Sequence, residues 1–314
     1  MIINYLPFDW KKAFSLLFYT TLALFILKIL SNSDITKLTE LEYDPFSLGL
    51  AVVFALSFRF LGVFIWQFIL KTILLDDLPR FTVLAQVYSK AWMGRYIPGK
   101  IAWIAGKIIF GTRYGISADR LATGSVLEVL LQIITTLFVS LVLMVIDPRI
   151  SLPGSQTFSI VFLLVLLALI LHPPIFSQIR LLAYRLMRRK PESDIQITPR
   201  LMINSGLMYG IGSLISGFSY FLLIDSFYTL SQEDILFIIA VVNLAGVAGI
   251  VALFAPAGLG VREGVLLLFL PMIAPTEIAL FAIVMARLFS IVMDTLFFAF
   301  CQILNSKFAL GSSA

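Results

Sequence analysis

The sequence predicts an all-α, polytopic integral membrane protein with an inverted internal repeat and two broken or re-entrant helix regions. Three observations carry that prediction. First, 60% of the 314 residues are hydrophobic and 13% are charged, whereas soluble domains are about 45–50% apolar and about 25% charged. A water-soluble fold lacks the polar surface to clothe such a composition. Second, the apolar residues fall in runs such as 156–171, QTFSIVFLLVLLALIL, long enough to cross a ~30 Å hydrocarbon layer at ~1.5 Å per residue. Outer-membrane barrel strands would instead alternate residue by residue over about 10 positions. Third, Pro and Gly interrupt two otherwise helical stretches, 81–112 and 255–272. Interrupted backbone is tolerated at membrane depth only where protein or a water-filled cavity satisfies its polar groups.

The elements follow in order. Residues 12–30 have a basic flank and an apolar run without a small-residue cleavage site, which reads as a retained first helix and not a removed signal peptide. Further spans are expected at 46–70, 118–146, 156–172, 203–224, 235–254 and 277–304, each bounded by charged or Pro/Gly-rich residues. The arms 81–97 and 98–112 are too short for full crossings, at about 22 Å each. Residues 175–189, IFSQIRLLAYRLMRR, read as an interfacial helix with its basic face toward anionic headgroups.

Cytoplasmic loops retain Lys and Arg. Lys11 and Lys12 therefore place the N-terminus in the cytoplasm, and the acidic loop 31–45 outside. The loop 173–200, with Arg180, Arg185, Arg188, Arg189, Lys190 and Arg200, is cytoplasmic. A cell membrane, plasma or bacterial inner, is the expected location. A shift of 158 residues superposes Pro98-Gly99 on Pro256-Ala257, and one of 159 brings Glu128 onto Arg287. Within one membrane domain, 1–314, this defines repeat units 46–146 and 204–304, joined by a connecting helix and basic loop, 147–203. Duplication around broken helices is the organisation of many secondary transporters. An inverted second unit puts Lys307 inside, while a full crossing by 235–254 puts the C-terminus outside; both topologies stand at this level.

A single Cys, Cys301, forms no intrachain disulfide, and a single His, His172, argues against a His/Cys metal site. No metal, cofactor, catalytic group or nucleic-acid partner is expected. The residues that draw attention are cations and chain breaks. In W-M-G-R-Y-I-P-G-K, 92–100, a helix restarting after Pro98 and Gly99 presents unpaired N–H groups to an anion, with Arg95, Lys100 and Lys107 supplying charge and Tyr96 an amphipathic ring. The competing reading is cations that snorkel to lipid phosphates. In P-A-G-L-G-V-R-E-G, 256–264, Pro256, Gly258 and Gly260 break the helix beside Arg262 and Glu263, forming either a tight turn or a substrate-lining loop. Glu128 and Arg287 lie about 15 Å inside long apolar helices, where a lone ion is costly. A direct Glu128–Arg287 pair is expected, serving as a structural lock or as a substrate or proton site. Arg59 and Asp294 are the other deep charges.

These motifs, with R-Y-G-I-S at 113–117, Leu127-Glu128 and Ala286-Arg287, resemble the transmembrane domain of lysylphosphatidylglycerol synthases, also described as flippase-like membrane proteins. The resemblance covers roughly 46–304. It implies a lipid-handling domain similar to one that moves aminoacylated phosphatidylglycerol between leaflets. Those synthases attach the amino acid in a soluble C-terminal domain that the residues after Asn305 do not provide, so lysyltransferase activity is not expected. The expected function is a flippase or transporter for a phospholipid or lipid-linked anionic headgroup. The alternatives are a membrane transferase on a polyprenyl-phosphate or phospholipid, with Asp76 and Asp77 as candidate acids, and an accessory subunit of lipid or envelope biosynthesis.

Overall fold

A computed structural model of the protein describes residues 20, 42–73, 78–96, 101–150, 154–170, 172–186, 197–252 and 255–310, and all regular structure among them is helical. The expected first helix, 12–30, lies outside the described residues except for position 20, as do Asp76, Asp77, Pro98, Gly99 and Lys100.

Among the described residues ten α-helices follow one another: α1 (Pro45–Ile73), α2 (Phe81–Met93), α3 (Ile101–Gly111), α4 (Ala118–Ile146), α5 (Gly154–Ile170), α6 (Pro173–Leu186), α7 (Pro199–Asp225), α8 (Asp234–Val251), α9 (Val261–Phe269) and α10 (Thr276–Leu310). Five of them, α1, α4, α7, α8 and α10, are long and apolar enough to cross a membrane, and the protein is a multi-pass membrane protein. The expected span 156–172 overlaps α5, which is 17 residues long and opens with the polar stretch Gly154-Ser155-Gln156-Thr157 before an apolar run that reaches Ile170.

Helix ends follow local chemistry. Ser117 and Thr198 cap α4 and α7 by accepting hydrogen bonds from the N–H groups of Arg120 and Leu201, which satisfies donors that have no partner inside the helix. Pro199 occupies the first turn of α7, where a missing N–H costs nothing. The long helices are apolar all round. Val53, Phe64, Ile211, Leu207, Leu288 and Phe300 are exposed, as side chains facing hydrocarbon should be.

The interior forms around α1 and α7, which share the largest helix–helix interface. The buried stripe of α1 runs Ala51, Ala55, Arg59, Val63, Trp66 and Leu70, a spacing of one helical face. Small residues permit close approach where hydrophobic driving force between helices is absent. A Cβ on Gly217 of α7 would stand 2.7 Å from the Cα of Ile239 on α8. Ser219 of α7 donates a hydrogen bond to the carbonyl of Ala51 on α1 (2.8 Å), and Ser140 of α4 to that of Ala240 on α8 (2.6 Å).

Two pairs of neighbouring helices set up the site. In the first, α2 and α3 run antiparallel, pressed together where a Cβ on Gly94 would meet the carbonyl carbon of Ala102 at 2.9 Å and one on Gly106 the Cα of Ala91 at 3.0 Å. In the second, α8 turns through Pro256–Gly258 into α9, and Gly258 lies against Gly249. The single turn Gly94–Tyr96 touches the turn Pro256–Gly258, so the two breaks meet inside the bundle. The long helices exchange partners, with α4 packing on α8 and α10 on α2.

At the other end of α4, Arg149 clasps two helices. It donates to Asp147 from Nε (2.9 Å) and Nη2 (2.8 Å), to Asp234 (2.5 Å) and to the Glu233 carbonyl (2.8 Å). The hydrogen-bonded guanidinium holds the Asp147 carboxyl below its ordinary range.

Candidate functional site

The site begins with Asp294, a fully buried carboxylate on α10. An ionised group there is tolerated only with complete compensation, and four side chains supply it. Arg59 from α1 donates to Oδ1 through Nε (2.9 Å) and Nη2 (2.7 Å). The indole N–H of Trp92, on α2, reaches the same oxygen at 3.1 Å, and the hydroxyl of Tyr96 donates to Oδ2 at 2.6 Å. Arg95 approaches Oδ2 at 3.4 Å. Arg59 also donates from Nη1 to the carbonyl of Ala55 (2.9 Å) and from Nη2 to that of Ser290 (3.3 Å). Arg95 lies over the rings of Trp92 and Tyr96, 4.9 and 5.5 Å from their centroids.

Beside this cluster lies a cavity of about 150 Å³ between the long helices and the two breaks. Arg59, Arg95 and Arg262 line it with Trp92, Trp103 and Tyr220. The guanidinium of Arg262 sits 4.9 Å from the centroid of Tyr220. Gln132 and Thr136 of α4, Ser213, Ser216 and Ser219 of α7, and Asn243 of α8 complete the polar wall. Among the described residues no carboxylate lines it. Guanidinium groups at the edge of a low-dielectric space, without an acid facing them across it, form an anion-binding arrangement.

The glycines of 256–264 have a geometric cause. Ala257, Gly258 and Gly260 have φ of 47°, 74° and 80°, and such left-handed backbone is open to Gly without steric cost. A Cβ on Gly258 would also stand 2.7 Å from the Cα of Gly249. Glu263 accepts the N–H of Gly260 at 2.7 Å and caps α9 from its first turn. Gly258→Ala is expected to cost about 1–3 kcal/mol through backbone strain and overpacking, seen as a lower melting temperature in detergent. An unchanged melt would show that α8 and α9 separate easily.

A second buried cluster ties α3 to α4. Lys107 donates to Glu128, and the Tyr88 hydroxyl donates to the other carboxylate oxygen at 3.0 Å. The ammonium of Lys107 is ringed by Tyr88, Trp66 and Trp103, 3.9, 5.1 and 5.4 Å from their centroids, so cation–π attraction adds to the ion pair.

The expected Glu128–Arg287 pair is corrected. Glu128 pairs with Lys107, while Arg287 lies 3.7 Å from Glu263 and donates to the Ala257 carbonyl at 3.2 Å. Helix packing is the reason: α4 packs on α3, and α10 on α9. Each deep charge therefore finds its partner on the short helix preceding its own, with the polarity reversed between the two pairs. Of the expected site residues, the structure brings Arg95 and Arg262 to the cavity wall, Tyr96 to Asp294, and Glu263 and Arg287 beside the second break. Lys107 and Glu128 form a separate buried pair. Pro98, Gly99 and Lys100 lie outside the described residues; Pro256 takes part in the turn by its backbone.

Sequence reasoning noticed Arg59 and Asp294 as deep charges but did not pair them across 235 positions. It missed Tyr220, Asn243 and the serines of α7 altogether. The available signal was the recurrence of Ser213, Ser216 and Ser219 on an otherwise apolar helix.

No curated protein matches the sequence. Residues 13–297 match the family described as Lysylphosphatidylglycerol synthase TM region, in agreement with the motifs at 92–100 and 256–264 and with the membrane-spanning helices that frame the cavity. A match over nearly the whole chain means that this protein belongs to the lysylphosphatidylglycerol synthase transmembrane family.

Proposed function

We propose that the protein is a lipid flippase or transporter that binds a phospholipid or lipid-linked anionic headgroup in the arginine-lined cavity and moves it between leaflets. The observation that carries this reading is the convergence of Arg59, Arg95 and Arg262 on one internal space within a membrane-spanning bundle. Arg95 and Arg262 contact the phosphate. Tyr96, Glu263 and Arg287 hold those arginines and the second break in place. Gly258 and Gly260 shape the turn, and Lys107 with Glu128 anchors α3 to α4.

In this reading 46–146 and 204–304 are two repeat units, and the breaks act as re-entrant tips that meet at the substrate, as discontinuous helices do in transporters. The reciprocal pairing of α4 with α8 and α10 with α2 supports the repeat. The basic loop 173–200 faces the cytoplasm of a cell-membrane protein whose N-terminus is also cytoplasmic.

In proteoliposomes carrying a headgroup-labelled anionic phospholipid, Arg262→Gln is expected to lower translocation roughly tenfold or more, the effect of removing a charged hydrogen bond of about 1.5–3 kcal/mol. Wild-type protein that moves no lipid, or a variant that moves it at the wild-type rate, would overturn the proposal.

A further inference from the structure

A second, much smaller space of about 10 Å³ adjoins the arginine-lined cavity. Arg59 and Gly62 of α1, Tyr88 and Trp92 of α2, Gln132 of α4 and Tyr209 of α7 line it, with apolar side chains of α1. Arg59, Trp92 and Gln132 also line the large cavity, and the Tyr88 hydroxyl donates to Glu128. The cleft therefore stands between the two buried charge clusters, Arg59–Asp294 and Lys107–Glu128.

Its wall has a defined hydrogen-bonding pattern. Tyr209 is 3% exposed, and its hydroxyl has no hydrogen-bonding partner among the described residues. The hydroxyls of Ser125, Thr135 and Ser205 share that condition, but a helical serine or threonine can turn to a carbonyl one turn back. A tyrosine hydroxyl stands too far from its own backbone to do so, and an unpaired buried hydroxyl is destabilising. The guanidinium of Arg59 carries five N–H donors. Two hydrogen bonds to Asp294 and one each to the carbonyls of Ala55 and Ser290 leave one N–H on Nη1. Tyr88 commits its proton to Glu128, so its oxygen is an acceptor. That oxygen reaches the cleft because α1 carries no side chain opposite it: a Cβ on Gly62 would meet it at 2.7 Å.

A small neutral molecule that both donates and accepts fits this wall. A cation would meet the Arg59 guanidinium, and an anion would face the Tyr88 lone pairs with the Glu128 carboxylate behind them. One water needs roughly 10–15 Å³ of room and two to four polar partners.

We propose that the cleft is a binding site for a single water molecule, which accepts from Arg59 and Tyr209, donates to Tyr88 and Gln132, and joins the two buried ion clusters into one network. The network runs from Lys107 on α3 through Glu128, Tyr88 and the water to Arg59 and Asp294 on α10. It ties the packing of α3 on α4 to the state of Arg59 at the cavity wall. The proposal goes beyond the lipid-binding reading and does not depend on it.

The test uses the purified protein in nanodiscs for imaging and in mixed micelles for unfolding, each in chloride and in gluconate buffer. Cryo-EM maps that show ordered water should hold one density within hydrogen-bonding distance of both Tyr209 and Arg59. Tyr209→Phe, which keeps the ring, should lower the melting temperature, because phenylalanine cannot hold the water. In a dry cleft the same change removes an unpaired hydroxyl and should raise it. Combining Tyr209→Phe with Gln132→Leu should be non-additive by roughly twofold or more in the unfolding equilibrium constant. The Tyr209 hydroxyl has no direct hydrogen bond to Gln132, so the coupling passes through the shared molecule. Absence of the density, a higher melting temperature for Tyr209→Phe, or strict additivity overturns the proposal. Density or coupling that disappears when gluconate replaces chloride assigns the cleft to an anion and overturns it equally.

Discussion

Asp294→Leu is expected to lower the stability of the bundle by about 3–5 kcal/mol. The carboxylate accepts from Arg59, Trp92 and Tyr96 and faces Arg95. Leucine would leave the buried Arg59 guanidinium without its counter-charge and remove the acceptor of Trp92 and Tyr96. Unfolding in mixed micelles should shift far toward lower denaturant, with little folded protein recovered. Arg95→Gln should cost much less, because Arg95 stands at the cavity edge and its approach to the carboxylate is the longer one, at 3.4 Å. A near-normal unfolding curve for Asp294→Leu would mean that the arginines reach other acceptors, and the carboxylate would lose its role as the organiser of α1, α2 and α10.

Breaking the Lys107–Glu128 pair from either side is expected to cost about 3–5 kcal/mol, and replacing both partners much less. Lys107→Met leaves the carboxylate with the Tyr88 hydroxyl but no counter-charge; Glu128→Gln leaves the ammonium with aromatic faces and a neutral amide oxygen in place of the carboxylate. The double variant Lys107→Met with Glu128→Leu fills the space without charge, so the cycle should show a coupling of about 0.5–3 kcal/mol. The contrasting cycle, Glu128→Gln with Arg287→Gln, should be additive within about 0.3–0.5 kcal/mol, because those residues have separate partners. Strict additivity in the first cycle, or strong coupling in the second, would reverse the pairing.

The membrane class and most helix ends were legible because they rest on local quantities. Residues 118–146 form α4 over the same bounds as expected, since a polar, capped start and Asp147 frame an apolar run. The break at Pro256–Gly260 was legible because Pro and Gly act locally. The Glu128–Arg287 expectation failed for the opposite reason. Depth and repeat position predicted that each charge needs a partner, which is correct, but not which helix stands beside it. The recurrence of serines on α7 did not by itself point to a cavity, because serine in a membrane helix commonly donates to its own backbone, and Ser213 does so even while lining the cavity.

By itself, the sequence determined that this chain lives in a membrane, where its long helices start and stop, and that two glycine-containing breaks interrupt it. These follow from transfer free energy and from backbone sterics, which act within a few residues. Tertiary structure alone decided which deep charges meet: Arg59 with Asp294 and Lys107 with Glu128. It also decided that the two breaks touch, and that three arginines share one space with serines from another helix. The reason is physical. A buried charge fixes that a partner must exist, while helix packing over hundreds of residues fixes which one comes within hydrogen-bonding distance.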